Sequence, residues 1–175
     1  LSGANAYTGT TTISAGTLKL GTGGSLSTST ALSIGGSSAT LDLYGNSQSV
    51  ASLTGVSGGF VLNSLNSSAS TLTVTGGTTT FAGIIKNNGG TGGTVALVID
   101  GATLTLSGAN TYTGGTTLTS GALLVGVATS GTLGSITSSA IGTGTLTFNG
   151  GTISSDSSTA RTLYNTLTFT GDATI

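Results

Sequence analysis

Apolar residues recur at every second position over short stretches of the chain, and a glycine usually closes each stretch. TLKL (17–20), ATLDLYG (39–45), STLTVTG (70–76), ATLTLSG (102–108), GTLTFNG (144–150) and NTLTFTG (165–171) share one template: small, apolar, polar, apolar. Alternation over four to six residues predicts strands with one buried face. FVLNSL (60–65), TTTFAGII (78–85) and TVALVID (94–100) add further short strands. No stretch sustains a 3.6-residue apolar period, and glycine and β-branched residues both disfavour helix. The pattern predicts an all-β chain.

One phrase occurs twice. LSGANAYTGTTTISAGTLKLG (1–21) and LSGANTYTGGTTLTSGALLVG (106–126) are identical at 13 of 21 positions. The shared positions include Leu1/Leu106, Gly3/Gly108, Asn5/Asn110, Tyr7/Tyr112, Gly9/Gly114 and Gly16/Gly121. Glycines at fixed places imply turns with positive φ or a close approach of neighbouring backbones. Leu18/Leu123 and Leu20/Val125 are expected to point into one shared core. Internal repetition favours stacked coils over a sandwich, and so does an aromatic content of 5%, since sandwich cores lean on large rings. Coils of roughly 20–25 residues predict a single β-solenoid segment over 1–175, with about seven or eight coils ~4.8 Å apart. Each copy of the phrase is expected to be one standard coil, with spacer coils between them. Uncapped ends at Leu1 and Ile175 would stack on further coils, so the first expected partner is the chain itself, head to tail or as part of a longer solenoid.

Composition sharpens this picture. Thr (38), Gly (32) and Ser (26) make up 96 of the 175 residues, but proline is absent and aliphatic residues are spread throughout, which separates the chain from a disordered linker. Only Lys19, Lys86, Arg161, Asp42, Asp100, Asp156 and Asp172 are charged, for a net charge of -1. So thin a charge offers no stripe for phosphates and argues against nucleic acid. No apolar run reaches the ~20 residues of a transmembrane helix, and LSGANAYTG has no signal-peptide pattern. Zero cysteine excludes disulfides and thiolate metal sites.

Chemistry finds little support. GVSGG (55–59) matches the nucleophile-elbow spacing with Ser57 as nucleophile, but the chain has no histidine to serve as base. Asp42, Asp100, Asp156 and Asp172 are spaced 58, 56 and 16 apart, which implies no vertical stacking of carboxylates. GGTGGTVALVID (89–100) misses the aspartate position of calcium-binding solenoid repeats. Asp42 and Lys19 lie in LDL and LKL, where alternation points them outward. Tyr7 and Tyr112 fit a sugar platform or, more simply, a ring covering a corner. T-x-T pairs (73/75, 103/105, 117/119, 145/147, 168/170) raise an ice-binding face, but their unequal gaps speak against a common register. Asn66 heads a formal glycosylation acceptor. The longest strand-poor stretches, such as GVATSGTLGSITSSAIG (126–142), are short and bland.

GATLTLSGANTYTGGTTLTSGALLVG (101–126) closely resembles the passenger-associated transport repeat, also called the autotransporter-associated β-strand repeat. The likeness runs through Leu104, Leu106, Gly108, Asn110, Thr111, Tyr112, Gly114, Thr116, Gly121 and Leu123. In the first copy it runs through Leu1, Gly3, Asn5, Tyr7, Gly9, Thr11, Gly16 and Leu18, with Ala6 departing from the usual Thr. Residues 39–55, 78–101 and 144–173 look like spacer coils of the same passengers. The resemblance implies a right-handed parallel β-helix, exported by a C-terminal β-barrel and secreted or displayed on a Gram-negative-type cell, with signal and anchor outside this chain. The expected function is structural: a segment of an extracellular fibre or stalk built by stacked β coils. The alternative is an adhesin passenger that binds a glycan or a host receptor. No enzymatic activity, cofactor or metal is expected.

Overall fold

The computed structural model describes residues 1–89 and 92–175; Gly90 and Thr91, inside the glycine-rich GGTGG stretch, lie outside the described residues. Seventeen strands are found among the described residues: β1 (Thr11–Ile13), β2 (Thr17–Lys19), β3 (Ala31–Ile34), β4 (Thr40–Asp42), β5 (Gln48–Val50), β6 (Ser52–Gly55), β7 (Phe60–Leu62), β8 (Ala69–Val74), β9 (Thr78–Phe81), β10 (Ile84–Ile85), β11 (Thr94–Leu106), β12 (Thr116–Val125), β13 (Ser130–Thr132), β14 (Ser135–Ser138), β15 (Leu146–Phe148), β16 (Thr152–Ser155) and β17 (Leu167–Phe169). No helix among these residues is long and apolar enough to cross a membrane.

The strands stack in parallel on three faces of a solenoid. The first face runs β1, β3, β6, β9, the second half of β11, the second half of β12, and β16. A bridge from Thr152 to Thr174 adds an eighth rung, so the face spans seven turns. The second face stacks β2, β4, β7 and β10. The third carries β5, β8, the first half of β11, the first half of β12, β15 and β17. Neighbouring rungs lie ~4.8 Å apart, which makes a rod about 35 Å long.

Alternation along each strand explains the stacking. In β11 the burial alternates strictly from Thr94 to Ile99 and again from Ala102 to Leu106, and the buried set (Val95, Leu97, Ile99, Ala102, Leu104, Leu106) joins one continuous core. Leu20, Leu123 and Val125 sit in that core and Leu18 packs against it, as the two-residue period predicts. The chain turns from the third face to the first at an aligned glycine column, Gly77, Gly101, Gly121 and Gly151, with φ of 77°, 96°, 86° and 81°. A Cβ at Gly121 would strike the Ala102 carbonyl of the coil beneath. Glycine is required there for both conformation and clearance.

Coil length varies more than the expected 20–25 residues. Partner residues on the first face are 21 apart from Thr12 to Ser33, 26 from Gly55 to Phe81, 19 from Leu106 to Val125 and 30 from Val125 to Ser155. The longest coil is the one holding 126–142, read from sequence as strand-poor. There the chain makes an antiparallel hairpin, β13–β14, which the parallel stack does not absorb. Gly131 and Gly134 (φ 103° and 84°) make its bulge and tight turn. In SGTLGSITS, small and polar residues on both sides of the turn hide the strands from a search for apolar alternation.

Candidate functional site

The repeated phrase builds the same local object twice. Asn110 is fully buried. Its Oδ1 accepts from the Ile85 N–H of the preceding coil (2.7 Å), and its Nδ2 donates to Gly108 O (3.1 Å) and to Ala140 O of the following coil (2.6 Å). Asn5 repeats the second half of this pattern, donating from Nδ2 to Gly3 O (3.0 Å) and to Ser25 O of the next coil (2.8 Å). Two residues on, the phenol of Tyr112 bonds Thr116 Oγ1 (2.5 Å), and that of Tyr7 bonds Thr11 Oγ1 (2.7 Å). Tyr112 is fully buried, whereas Tyr7 in the first coil is 41% exposed. Burial pushes the Tyr112 phenol well above its ordinary range. Both tyrosines are corner rings tied to the strand that follows.

The remaining conserved positions of the two copies diverge in detail. Gly16 and Gly121 both take positive φ (70° and 86°). Gly3 needs its φ of 77° but has open space around it, while Gly108 lies so close to the Gly83 carbonyl that any Cβ would collide. Gly114 is pressed on Val95 O, whereas Gly9 faces open space. Leu106 is buried and Leu1 exposed.

The two copies do not occupy equivalent places around the rod. Residues 11–13 lie on the first face, but their counterparts 116–118 lie on the third. Residues 17–19 lie on the second face, and their counterparts 122–124 on the first. The copies are therefore offset by one face around the rod. The reason is local: the phrase encodes strand, glycine corner and strand, with Asn and Tyr clamps before them. The first and second faces accept that unit, and so do the third and first.

Other sequence-based candidates resolve as follows. Ser57 is exposed in a turn where the Gly59 N–H donates to Val56 O (3.1 Å). Asp42, expected to be an outward solvated charge, is 4% exposed. Its carboxylate accepts from the N–H groups of Tyr44 and Ser64 (3.0 Å each) and from the Ser64 hydroxyl (2.6 Å), because the next coil folds over it. Lys19, directly below it in register, reaches it at 3.9 Å and also lies over the Tyr44 ring. Asp100 accepts from Ser120 Oγ, and Asp156 pairs with Arg161 at 2.9 Å.

The threonines come into register despite their unequal gaps. Ser49, Thr73, Val98, Thr117, Thr147 and Thr168 form one outward ladder on the third face. Thr105, Leu124 and Ser154 align on the first face, as do Thr78, Thr103, Ala122 and Thr152. The turns absorb the differences in spacing, so the gaps measured in sequence did not argue against register. Val98, Ala122 and Leu124 interrupt the hydroxyl rows. Among the described strand residues of these two faces, Asp100 alone is charged.

Among the concave regions toward the C-terminal coils, two are lined partly by large apolar side chains. One, about 400 Å³, opens onto the core and is lined mainly by Val125, Leu146, Phe148, Ile153, Leu163 and Leu167. Phe169 stacks on Phe148 beside it, with ring centroids 4.9 Å apart. The other lies under the β13–β14 hairpin.

No curated protein and no solved structure matches the chain. Residues 1–20 and 99–125 match the family described as the passenger-associated transport repeat. The two matched segments are the ones that carry the Asn and Tyr clamps and the glycine corner. The chain is thus a β-solenoid in which two segments are similar to the passenger-associated transport repeat.

Proposed function

We propose that the chain is a structural segment of a secreted or surface-displayed fibre or stalk on a Gram-negative-type cell, extended by stacking of β coils. The observation that carries this reading is the unbroken first-face ladder over seven turns, on a rod whose first and third faces hold one charged residue, Asp100, among their described strand residues. Load along the rod axis falls on backbone hydrogen bonds arranged in parallel, and neutral hydroxyl faces suit contact with a neighbouring rod. The last coil supports the same reading. Leu167 and Phe169 are 45% and 55% exposed over the open core, and Asn165 Oδ1 is buried without a protein partner. A second copy stacked on this end would bury both side chains and supply a donor. The reading contains no catalytic step.

Negative-stain electron microscopy of the purified chain, with its mass under denaturing conditions, tests this. Filaments that dissolve to 16.5 kDa support end-to-end stacking of copies. Rods that stay monomeric at high concentration, and remain so when a further repeat-bearing coil is fused after Ile175, would overturn it.

A further inference from the structure

The β13–β14 hairpin is the one element among the described strands that leaves the parallel stack. It turns back over the last coils: the Thr129 N–H donates to Thr162 O (2.8 Å), and the Tyr164 N–H donates to Thr129 Oγ1 (3.3 Å). A groove of about 400 Å³ lies between the hairpin and two segments of the stack, 143–145 and 164–166. Leu133 and Ile136 form the hairpin wall; Thr143, Thr145, Tyr164 and Thr166 form the wall opposite. Tyr164 is 37% exposed, and Thr145 and Thr166 are exposed as well. Leu133 stands 81% exposed at the tip. The lining holds no carboxylate, ammonium or guanidinium group.

We propose that this groove binds a short, uncharged glycan, which goes beyond the scaffold reading. The chemistry of the lining selects that class. A charged ligand would lose hydration without meeting an opposite charge, and a wholly apolar one would strip water from the exposed Thr145 and Thr166 hydroxyls without replacing it. A pyranose satisfies both halves. Its C–H face stacks on the Tyr164 ring, and its hydroxyls exchange hydrogen bonds with Thr143, Thr145 and Thr166. Leu133 and Ile136 close the apolar side. The hairpin belongs to the coil that is lengthened to 30 residues and Tyr164 to the coil that follows it, so the insertion that breaks the regular coil also supplies one wall of the groove.

Saturation-transfer difference NMR on the whole chain tests this. The probes are uncharged oligosaccharides of glucose, galactose, mannose and N-acetylglucosamine, with sialylated and sulfated oligosaccharides beside them. Transfer to ring C–H protons of at least one uncharged probe is expected. Tyr164→Ala should weaken binding by about fivefold or more, while Tyr164→Phe, which keeps the stacking ring, retains it. Replacing residues 131–137 by Asn-Gly, which removes the Leu133 and Ile136 wall, should also abolish transfer. Tyr44→Ala, in the turn after β4 and away from the groove, should leave it unchanged. No transfer to any uncharged probe, transfer indifferent to both groove variants, or preference for the charged probes would overturn the proposal. None of these outcomes depends on whether the rod forms filaments.

Discussion

Replacing Asn110 by alanine tests whether the repeat works by clamping one coil to the next. The side chain is fully buried and bonds the coil below through Ile85 N–H and the coil above through Ala140 O. Alanine removes both, leaving a buried donor and a buried acceptor without partners. Each such orphan costs about 1–3 kcal/mol, so a loss of roughly 3–5 kcal/mol is expected. The matched control is Asn5→Ala, which deletes the equivalent Nδ2 bonds to Gly3 and Ser25 where water replaces them; about 1 kcal/mol is expected there. Because a solenoid opens locally as well as globally, urea midpoints should be read together with amide exchange. The Ile85 amide should lose most of its protection in Asn110→Ala, while amides of β1 and β3 keep theirs. Equal costs for the two variants, or an Ile85 amide as protected as in the parent, would refute the clamp.

Three further outcomes follow from the same geometry. Gly108→Ala should fail to form the native coil, because its Cβ meets the Gly83 carbonyl, whereas Gly3→Ala should cost only about 1 kcal/mol for its positive φ; circular dichroism and thermal melts separate them. Tyr112 has its folded-state pKa raised by burial, so its contribution is intact below about pH 10, the unfolded value, and fades as pH climbs above it. Melts from pH 8 to 12 should show this alkaline loss, and Tyr112→Phe should flatten it. Exchanging residues 131–137 for Asn-Gly should leave the far-ultraviolet spectrum unchanged and shift the melting temperature little, since the hairpin adds few groups to the core.

Most of the architecture was legible in the residues. Two-residue alternation in TVALVID and ATLTLSG marks β11 on both sides of Gly101, and the duplicated phrase marks the stack. What was not legible depends on turns. Seen alone, Asp42 in LDL alternates outward; only the next coil, carrying Ser64, decides that it is covered. Thr117 and Thr147 are 30 residues apart yet adjacent, because a hairpin lengthens that coil without disturbing the ladder. The one-face offset between the two copies is invisible for the same reason: identity reports local shape, while angular position accumulates over every intervening turn. The groove escaped notice because Leu133 and Tyr164, 31 residues apart, are joined by that hairpin alone.

The stacking order itself is tested most directly by cross-strand nuclear Overhauser effects in the labelled protein. The structure predicts one parallel network linking Ser49, Thr73, Val98, Thr117, Thr147 and Thr168, and a separate one linking Thr12 to Ser33 and Thr54. Contacts that place residues 11–13 and 116–118 in the same ladder, or that pair β11 and β12 antiparallel, would contradict it.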